Sequence, residues 1–207
     1  MDGNRRAATI GSIAAIALYG WAALLVGQFV IDLDFLAGDG INVWFGTVAM
    51  VGLAALAVLV ATLVVAIIFL FWVHRAMSVA HDLTPSLTIT PGWAVGWFFV
   101  PIASLWKPYE AMSEIVEGSG VSAPGFAQQT RGLIGWWWAC WIGRGVIGTI
   151  SGLLGRSEDG RAVITHGEVV LLMIGSALGI GAAVLLATIV RRVIRMQTSA
   201  VDVGIFA

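Results

Sequence analysis

The sequence predicts an all-α, polytopic membrane protein with four transmembrane helices and a central helical hairpin that is re-entrant or interfacial. Hydrophobic residues make up 59% of the 207 residues and charged residues 11%, and the mean hydropathy is +0.94. Because soluble domains carry roughly 25% charged residues, the surface of this chain cannot face water everywhere. Ten Trp residues, which favour the membrane–water interface, agree with a chain embedded in a lipid bilayer.

Composition also narrows the possible functions. The net charge of −1 provides no basic field for nucleic acid. Cys140 is the single cysteine, so no intrachain disulfide can form. The sequence has no zinc-ligand spacing, no phosphate-binding loop and no nucleophile elbow, so we name no catalytic residue and no metal ligand. The apolar runs use nearly the whole chain, which favours a protein without enzymatic activity.

The whole chain, 1–207, is predicted to form a single membrane domain that begins with two spans. The first span covers 7–31 and is longer than a signal-peptide core of about 7–15 residues. Gly20, Ala23 and Gly27 give it a face of small residues suited to close helix packing. The second span covers 43–73 without a charge and would reach about 46 Å, against roughly 30 Å of hydrocarbon. It should therefore tilt, or protrude into a polar helix over 74–83.

The central hairpin is predicted over 91–106, a stretch below the usual span length of about 17–25 residues. Thr90 is a capping residue followed by a proline, a combination that opens helices. Pro101 removes a backbone hydrogen bond near the middle of the stretch. An amphipathic helix over 108–117, expected to lie at the membrane interface, follows. Its polar face carries Glu110, Glu114 and Glu117.

Two further spans are predicted, over 133–154 and 169–190. Arg144 lies near the centre of the former. Each has glycines at a four-residue spacing that favours close contact between helices. These pairs are Gly148 with Gly152 and Gly175 with Gly179.

The distribution of Lys and Arg favours four spans over five. If 91–106 does not cross the bilayer, eight cations lie on one side and two on the other; if it crosses, the division is five against five. Cytoplasmic loops collect Lys and Arg, so we expect both termini to be cytoplasmic. The side with eight holds Arg5, Arg6, Arg75, Lys107, Arg131, Arg191, Arg192 and Arg195, and the other holds Arg156 and Arg161.

The stretches FLFWVHRAMSVAHDL and TPGWAVGWFFVPIASLWKPYEAMSEI carry a resemblance to a known family. Over Phe69 to Ile115 the chain resembles the bacterial domain of unknown function family 4328. The flanking spans resemble the family in hydropathy and in a Trp-rich start near Gly135 to Trp138. The resemblance implies a multi-pass bacterial membrane protein, and it implies no activity and no catalytic residue.

Arg144 is the sharpest anomaly, because a cation at the bilayer centre costs about 2.5–3.5 kcal/mol on insertion scales. One hypothesis is that it binds an anionic group, or a carboxylate such as Glu168, Asp32 or Asp34. The alternative is a structural role, in which it reaches outward to the interface or forms an ion pair that holds helices together.

Three sets of side chains are weaker candidates for a cofactor or partner. His74 and His81 could bind heme or a metal, although interfacial histidines with hydrogen-bonded partners explain them as well. The aromatic residues near Pro101 could form a flat pocket for a quinone, pigment or lipid tail, and the alternative is an interfacial belt. The glutamate face of 108–117 could bind cations or a basic partner, or simply face water. The aromatic set is Trp93, Trp97, Phe98, Phe99 and Trp106.

The sequence leaves three functions open. The favoured one is a non-enzymatic accessory or scaffold subunit, whose partners are the lipid bilayer and other membrane subunits or further copies of itself. The second is a small transporter or channel lined by Arg144 and the re-entrant segment. The third is a redox protein that holds heme or quinone. No cofactor follows from the sequence itself.

Overall fold

Six α-helices make up almost all of the computed structural model, which describes residues 2–37, 45–121, 123–154, 156–158, 161–163 and 165–205. Two short 3-10 helices lie between α3 and α4, and two short strands lie between α5 and α6. The helices are α1 (Asp2–Ala37), α2 (Phe45–Leu83), α3 (Pro91–Gly96), α4 (Lys107–Ser119), α5 (Pro124–Leu154) and α6 (His166–Ile205). Strands β1 (Arg156–Glu158) and β2 (Arg161–Val163) pair antiparallel.

The four long helices α1, α2, α5 and α6 alternate in direction. Helix α1 packs between α2 and α6, and α6 packs between α1 and α5. A Cβ atom on Gly11, early in α1, would meet Ile194, late in α6, whereas one on Gly179 would meet Leu25. This inverse pairing shows that α1 and α6 are antiparallel.

Both ends of the central region, 84–123, lie at one end of the bundle. Gln197, late in α6, donates to the carbonyl oxygen of Ala76, late in α2, at 2.9 Å. A Cβ on Gly120, between α4 and α5, would lie 3.5 Å from the sulfur of Met196. We call this the basic end, because it holds Arg75, Arg131, Arg191, Arg192 and Arg195. The opposite end, where β1 and β2 join α5 to α6, is called the hairpin end.

Three helices are long and apolar enough to cross a membrane, by length and composition: Ala8–Asp34 in α1, Leu56–Leu83 in α2 and His166–Ala200 in α6. The membrane nature of the chain is therefore supported. Helix α5 has the length for a fourth span but is not among the three. Arg144, the glycines and the tryptophans of α5 are less apolar than the Leu, Ile and Val residues that are common in those three spans.

The boundaries differ from the sequence predictions mainly where polar residues continue a helix. From residue 45 onward, the second span and the polar helix over 74–83 are one continuous helix, α2. Residues 43 and 44 of the predicted span lie outside the described residues. Helix α5 begins at Pro124, well before the predicted start of the span at 133, because proline suits the first turn of a helix. Helices α1 and α6 likewise extend beyond 7–31 and 169–190.

The segment 91–106 is a short helix followed by turns. Thr90 caps α3 by accepting from the backbone N–H of Trp93. The chain then forms 3-10 helices over Trp97–Phe99 and Ala103–Leu105, on either side of Pro101. Because proline cannot donate the backbone bond that a continuous helix needs, a single helix does not form here.

The apolar face of α4 is covered by protein. Met112, Ile115 and Val116 are fully buried, and α4 packs against α2, α5 and α6. Tyr109 is the exception, at 37% exposed. Most of this face therefore packs against protein rather than lying free for the membrane surface, which differs from the prediction of an interfacial amphipathic helix. The hydrophobic core lies around it at the basic end, whereas α2 exposes a row of large apolar side chains towards the hairpin end. That row includes Leu53, Leu56, Leu59, Leu63 and Ile67.

Candidate functional site

Arg144 lies where α1, α5 and α6 meet. Its Nη1 donates to the carbonyl oxygen of Gly175 at 2.9 Å. Its guanidinium carbon lies 5.5 Å from the centre of the Trp21 ring, a cation–π contact. A Cβ on Gly179 would come within 2.7 Å of Nη1. The glycine face of α6 therefore provides both an acceptor and the space that the guanidinium occupies.

Trp21 connects this arginine to α2. Its indole Nε1 donates to the hydroxyl of Thr62 at 3.0 Å, and that hydroxyl donates to the carbonyl of Val58 at 2.8 Å. The contacts Thr62–Trp21–Arg144–Gly175 thus cross all four long helices at one level. We call these four residues the Arg144 cluster.

Arg144 has no carboxylate partner among the described residues, so the ion pairs considered for it from the sequence do not form. Glu168 instead accepts from the backbone N–H of Thr165 at 2.7 Å, at the start of α6. Asp32 accepts from Gln28 at 2.8 Å, and its other carboxylate oxygen is buried with no partner among the described residues. The charge of Arg144 is therefore balanced by a carbonyl dipole and an aromatic ring rather than by an anion.

The histidines do not converge on a common site. His81 Nε2 lies 2.8 Å from the carbonyl oxygen of Ile89. Because a carbonyl can only accept, Nε2 is the donor and cannot also be a ligand. His74 is exposed. Within the part of the chain that the structure describes, no group of His, Cys, Asp and Glu could hold a metal ion.

The three glutamates of α4 have separate roles. Glu114 accepts from the backbone N–H groups of Thr88 and Ile89, at 3.2 and 2.9 Å, and from the Thr88 hydroxyl. Glu110 pairs with Lys107. Glu117 lies 3.4 Å from Arg131. The face is thus tied to three neighbouring groups, and Glu114 holds the 84–90 loop against α4.

The aromatic residues near Pro101 do not all face the same way, since some turn towards the core and others turn outward. Trp93 and Trp97 stack with their centroids 4.5 Å apart, and Lys107 lies 5.8 Å over the Trp97 ring. Phe98 turns inward and meets Phe69 edge-on at 5.9 Å. Phe99 turns outward and is 71% exposed. These rings therefore do not enclose one common pocket.

Trp106 also points outward, and it lies beside a polar contact to α5. Its side chain is 45% exposed. The indole N–H of Trp138 donates to the carbonyl of the preceding residue, Leu105, at 3.2 Å. The contact fastens the end of the 91–106 segment to α5.

Sequence reasoning did not single out Trp21, Thr62 or Gln197. Trp21 and Thr62 each carry one polar group within an apolar helix. This is a weak indication of a functional residue, because such residues are common in membrane helices. Gln197 is stronger, since an amide late in an apolar helix needs partners. It finds them in Ala76 and in the Ser119 hydroxyl, each at 2.9 Å.

A bundle of long apolar helices, with a partly buried arginine held among them, defines the class of multi-pass helical membrane proteins. Within that class, the chain belongs to the family described as "Domain of unknown function (DUF4328)", whose model matches residues 39–195. This confirms the resemblance noted in the sequence, and extends it beyond Phe69 to Ile115. No curated protein and no solved structure matches the chain.

Proposed function

We propose that this protein is a non-enzymatic integral membrane protein that serves as an accessory or scaffold subunit and associates laterally with other membrane helices. The observation that carries the proposal is the position of its small-residue faces. The Gly175–Gly179 face of α6 packs inside the bundle, against Ile147, Leu25 and Arg144. The other two faces point away from it.

The outward faces are on α1 and α5. A Cβ added at Gly20 or Gly27 would meet no described atom within 4 Å, and the same holds at Gly145, Gly148 and Gly152. Residues at these spacings share one face of a helix. Small residues let a second helix approach the backbone closely, which drives helix association in membranes.

Helix α5 gives the stronger reason for a partner. It is not among the helices that are long and apolar enough to cross a membrane by length and composition. Its glycine face exposes backbone, rather than large side chains, to the surroundings of the bundle. A neighbouring helix would cover that backbone better than disordered lipid tails can. We therefore place the partner on the Gly145–Gly152 face of α5.

The proposed topology has four spans, with α5 as the third, and a central segment that enters and leaves on the cytoplasmic side. The alternating direction of the four long helices supports it, as does the eight-to-two division of cations. The exposed side chains of Phe99 and Ile102, each 71% exposed, would insert into the bilayer near the interface. The membrane is the bacterial inner membrane in this proposal.

The test is purification from native membranes in a mild detergent, followed by identification of what co-purifies. Replacement of both Gly148 and Gly152 by Ile should remove the partner, or a second copy of the chain. Gly132→Ile is the matched control, because Gly132 is also open on α5 but lies about 160° around the helix from Gly148. Recovery of the unaltered protein as a lone monomer would contradict the proposal.

A further inference from the structure

The guanidinium of Arg144 has bonding capacity that the protein does not use. An arginine has five N–H donors, and one of them bonds to Gly175. Trp21 lies against the group as a ring, so it accepts no conventional hydrogen bond. Among the described residues no other acceptor and no carboxylate bonds to this side chain. The site therefore has a net positive charge and free donors in apolar surroundings.

The bundle has one open edge, and the helices on its two sides carry Thr62 and Arg144. Helices α2, α1, α6 and α5 follow one another as neighbours, which leaves one edge between α2 and α5. At the basic end α4 packs against both helices and fills that edge. Further along, the rings of Phe69 and Trp137 meet at 6.5 Å. Arg144 lies two turns beyond Trp137, about 10 Å, on the side towards the hairpin end.

The depth of Arg144 limits what can reach it. Ten residues, or about 15 Å, separate it from the end of α5 at Leu154, which is half of a hydrocarbon thickness of roughly 30 Å. A diacyl phospholipid would have to bury its glycerol and phosphate to reach that level. A single chain that ends in a carboxylate would bury two oxygens, and a guanidinium offers a matching pair of parallel donors.

We propose that the Arg144 cluster binds the carboxylate of a single-chain amphiphile, of the fatty-acid type, which enters from the bilayer between α2 and α5. Arg144 donates to the carboxylate. Trp21, held by Thr62, fixes the guanidinium from one side, and the glycine face of α6 leaves room for it. The acyl chain lies along the apolar surface of α2 and the stacked rings of Trp138 and Trp141.

Binding of radiolabelled dodecanoate to the full chain, in nanodiscs of zwitterionic lipid, tests this site. Arg144→Gln should weaken binding by about tenfold or more, because a charge-assisted hydrogen bond is lost. Gly179→Ala keeps the charge but displaces Nη1, and should also weaken binding. Arg131→Gln is the matched control: it removes an exposed arginine from the same helix and should change binding less than twofold.

A comparison of ligands on the unaltered protein keeps the proposal testable if Arg144→Gln does not fold. Dodecanoate should bind at least about tenfold more tightly than dodecanol, since the alcohol has no charge. Equal binding of the two would overturn the proposal, and so would no binding at all. Tighter binding of dodecyl phosphate than of dodecanoate would overturn the choice of a carboxylate. An equal loss with Arg131→Gln would show general surface attraction, which also contradicts it.

Discussion

Glycine positions decide how closely the helices of this protein can approach one another. Gly179 is the clearest case, because its missing side chain leaves the space that the Arg144 guanidinium fills. Gly118 behaves similarly: a Cβ there would come within 2.7 Å of Leu87 and 3.2 Å of Ala80. The chain uses these residues for close packing rather than for an unusual backbone conformation.

Gly120 offers a test of this close packing. Gly120→Ala should destabilise the protein by about 1–3 kcal/mol, the usual cost of overpacking, because the new Cβ would lie 2.3 Å from that of Ala127 and 3.0 Å from the Val116 carbonyl. Gly125→Ala is the control, since a Cβ there meets no described atom within 4 Å. Denaturant unfolding in detergent would measure both; similar effects of the two changes would contradict the packing argument.

Asp32 is a buried carboxylate with one unsatisfied oxygen. The residue is 7% exposed. One oxygen accepts from Gln28, and the other has no partner in the part of the chain that the structure describes. Asp32→Asn should raise the Tm, because a neutral amide costs less to bury than a carboxylate and can still accept from Gln28. Asp32→Ala loses that bond and leaves a gap, so it should lower the Tm. A decrease of equal size in both variants would show that the charge itself is stabilising.

At the scale of elements, hydrogen bonds connect the successive segments in the region of the family resemblance. The carbonyl oxygen of Ile89 accepts from His81 on α2, and the backbone N–H of Ile89 donates to Glu114 on α4. Thr90 then caps α3. The 84–90 loop is thus held from both sides, and this positions the start of the 91–106 segment.

Removal of the glutamate should release this loop. Glu114→Ala should destabilise the protein by about 1–3 kcal/mol, because three hydrogen bonds to a charged acceptor are lost. Backbone N–H groups of Thr88 and Ile89 should then exchange faster with deuterium. Glu117→Ala should cost less than about 1 kcal/mol, since its pair with Arg131 is exposed. If the two variants exchanged alike at Thr88 and Ile89, Glu114 would not be the group that holds the loop.

At the scale of the whole molecule, the proposed topology makes a prediction about access from the two sides of the membrane. In a Cys140→Ala background, cysteines at Ser86 and Val121 should be labelled by an impermeant reagent from the same side. A cysteine at His166 should be labelled from the other side. All three positions are exposed. Ser86 and Val121 flank the 91–106 segment, so labelling from opposite sides would show that this segment crosses the bilayer.

The sequence by itself determined the all-α class, the apolar helices that could cross a membrane, and the family. These properties depend on local hydropathy and on a contiguous motif, so neighbouring residues along the chain are enough to predict them. The caps and breaks at Thr90 and Pro101 were predictable for the same reason, since a cap or a missing N–H acts within one helical turn.

The tertiary structure decided which residues surround Arg144 and which glycine faces are used. Trp21 and Gly175 are far from Arg144 in sequence. Whether these residues or a carboxylate such as Asp32 lie beside Arg144 depends on how far α1 and α6 are shifted along their axes relative to α5. The glycine pairs show the same dependence on packing. Gly175 and Gly179 pack inside the bundle, whereas Gly148 and Gly152 have the same four-residue spacing and point outward. Spacing identifies a face of a helix, but the packing of all the helices together determines what that face meets.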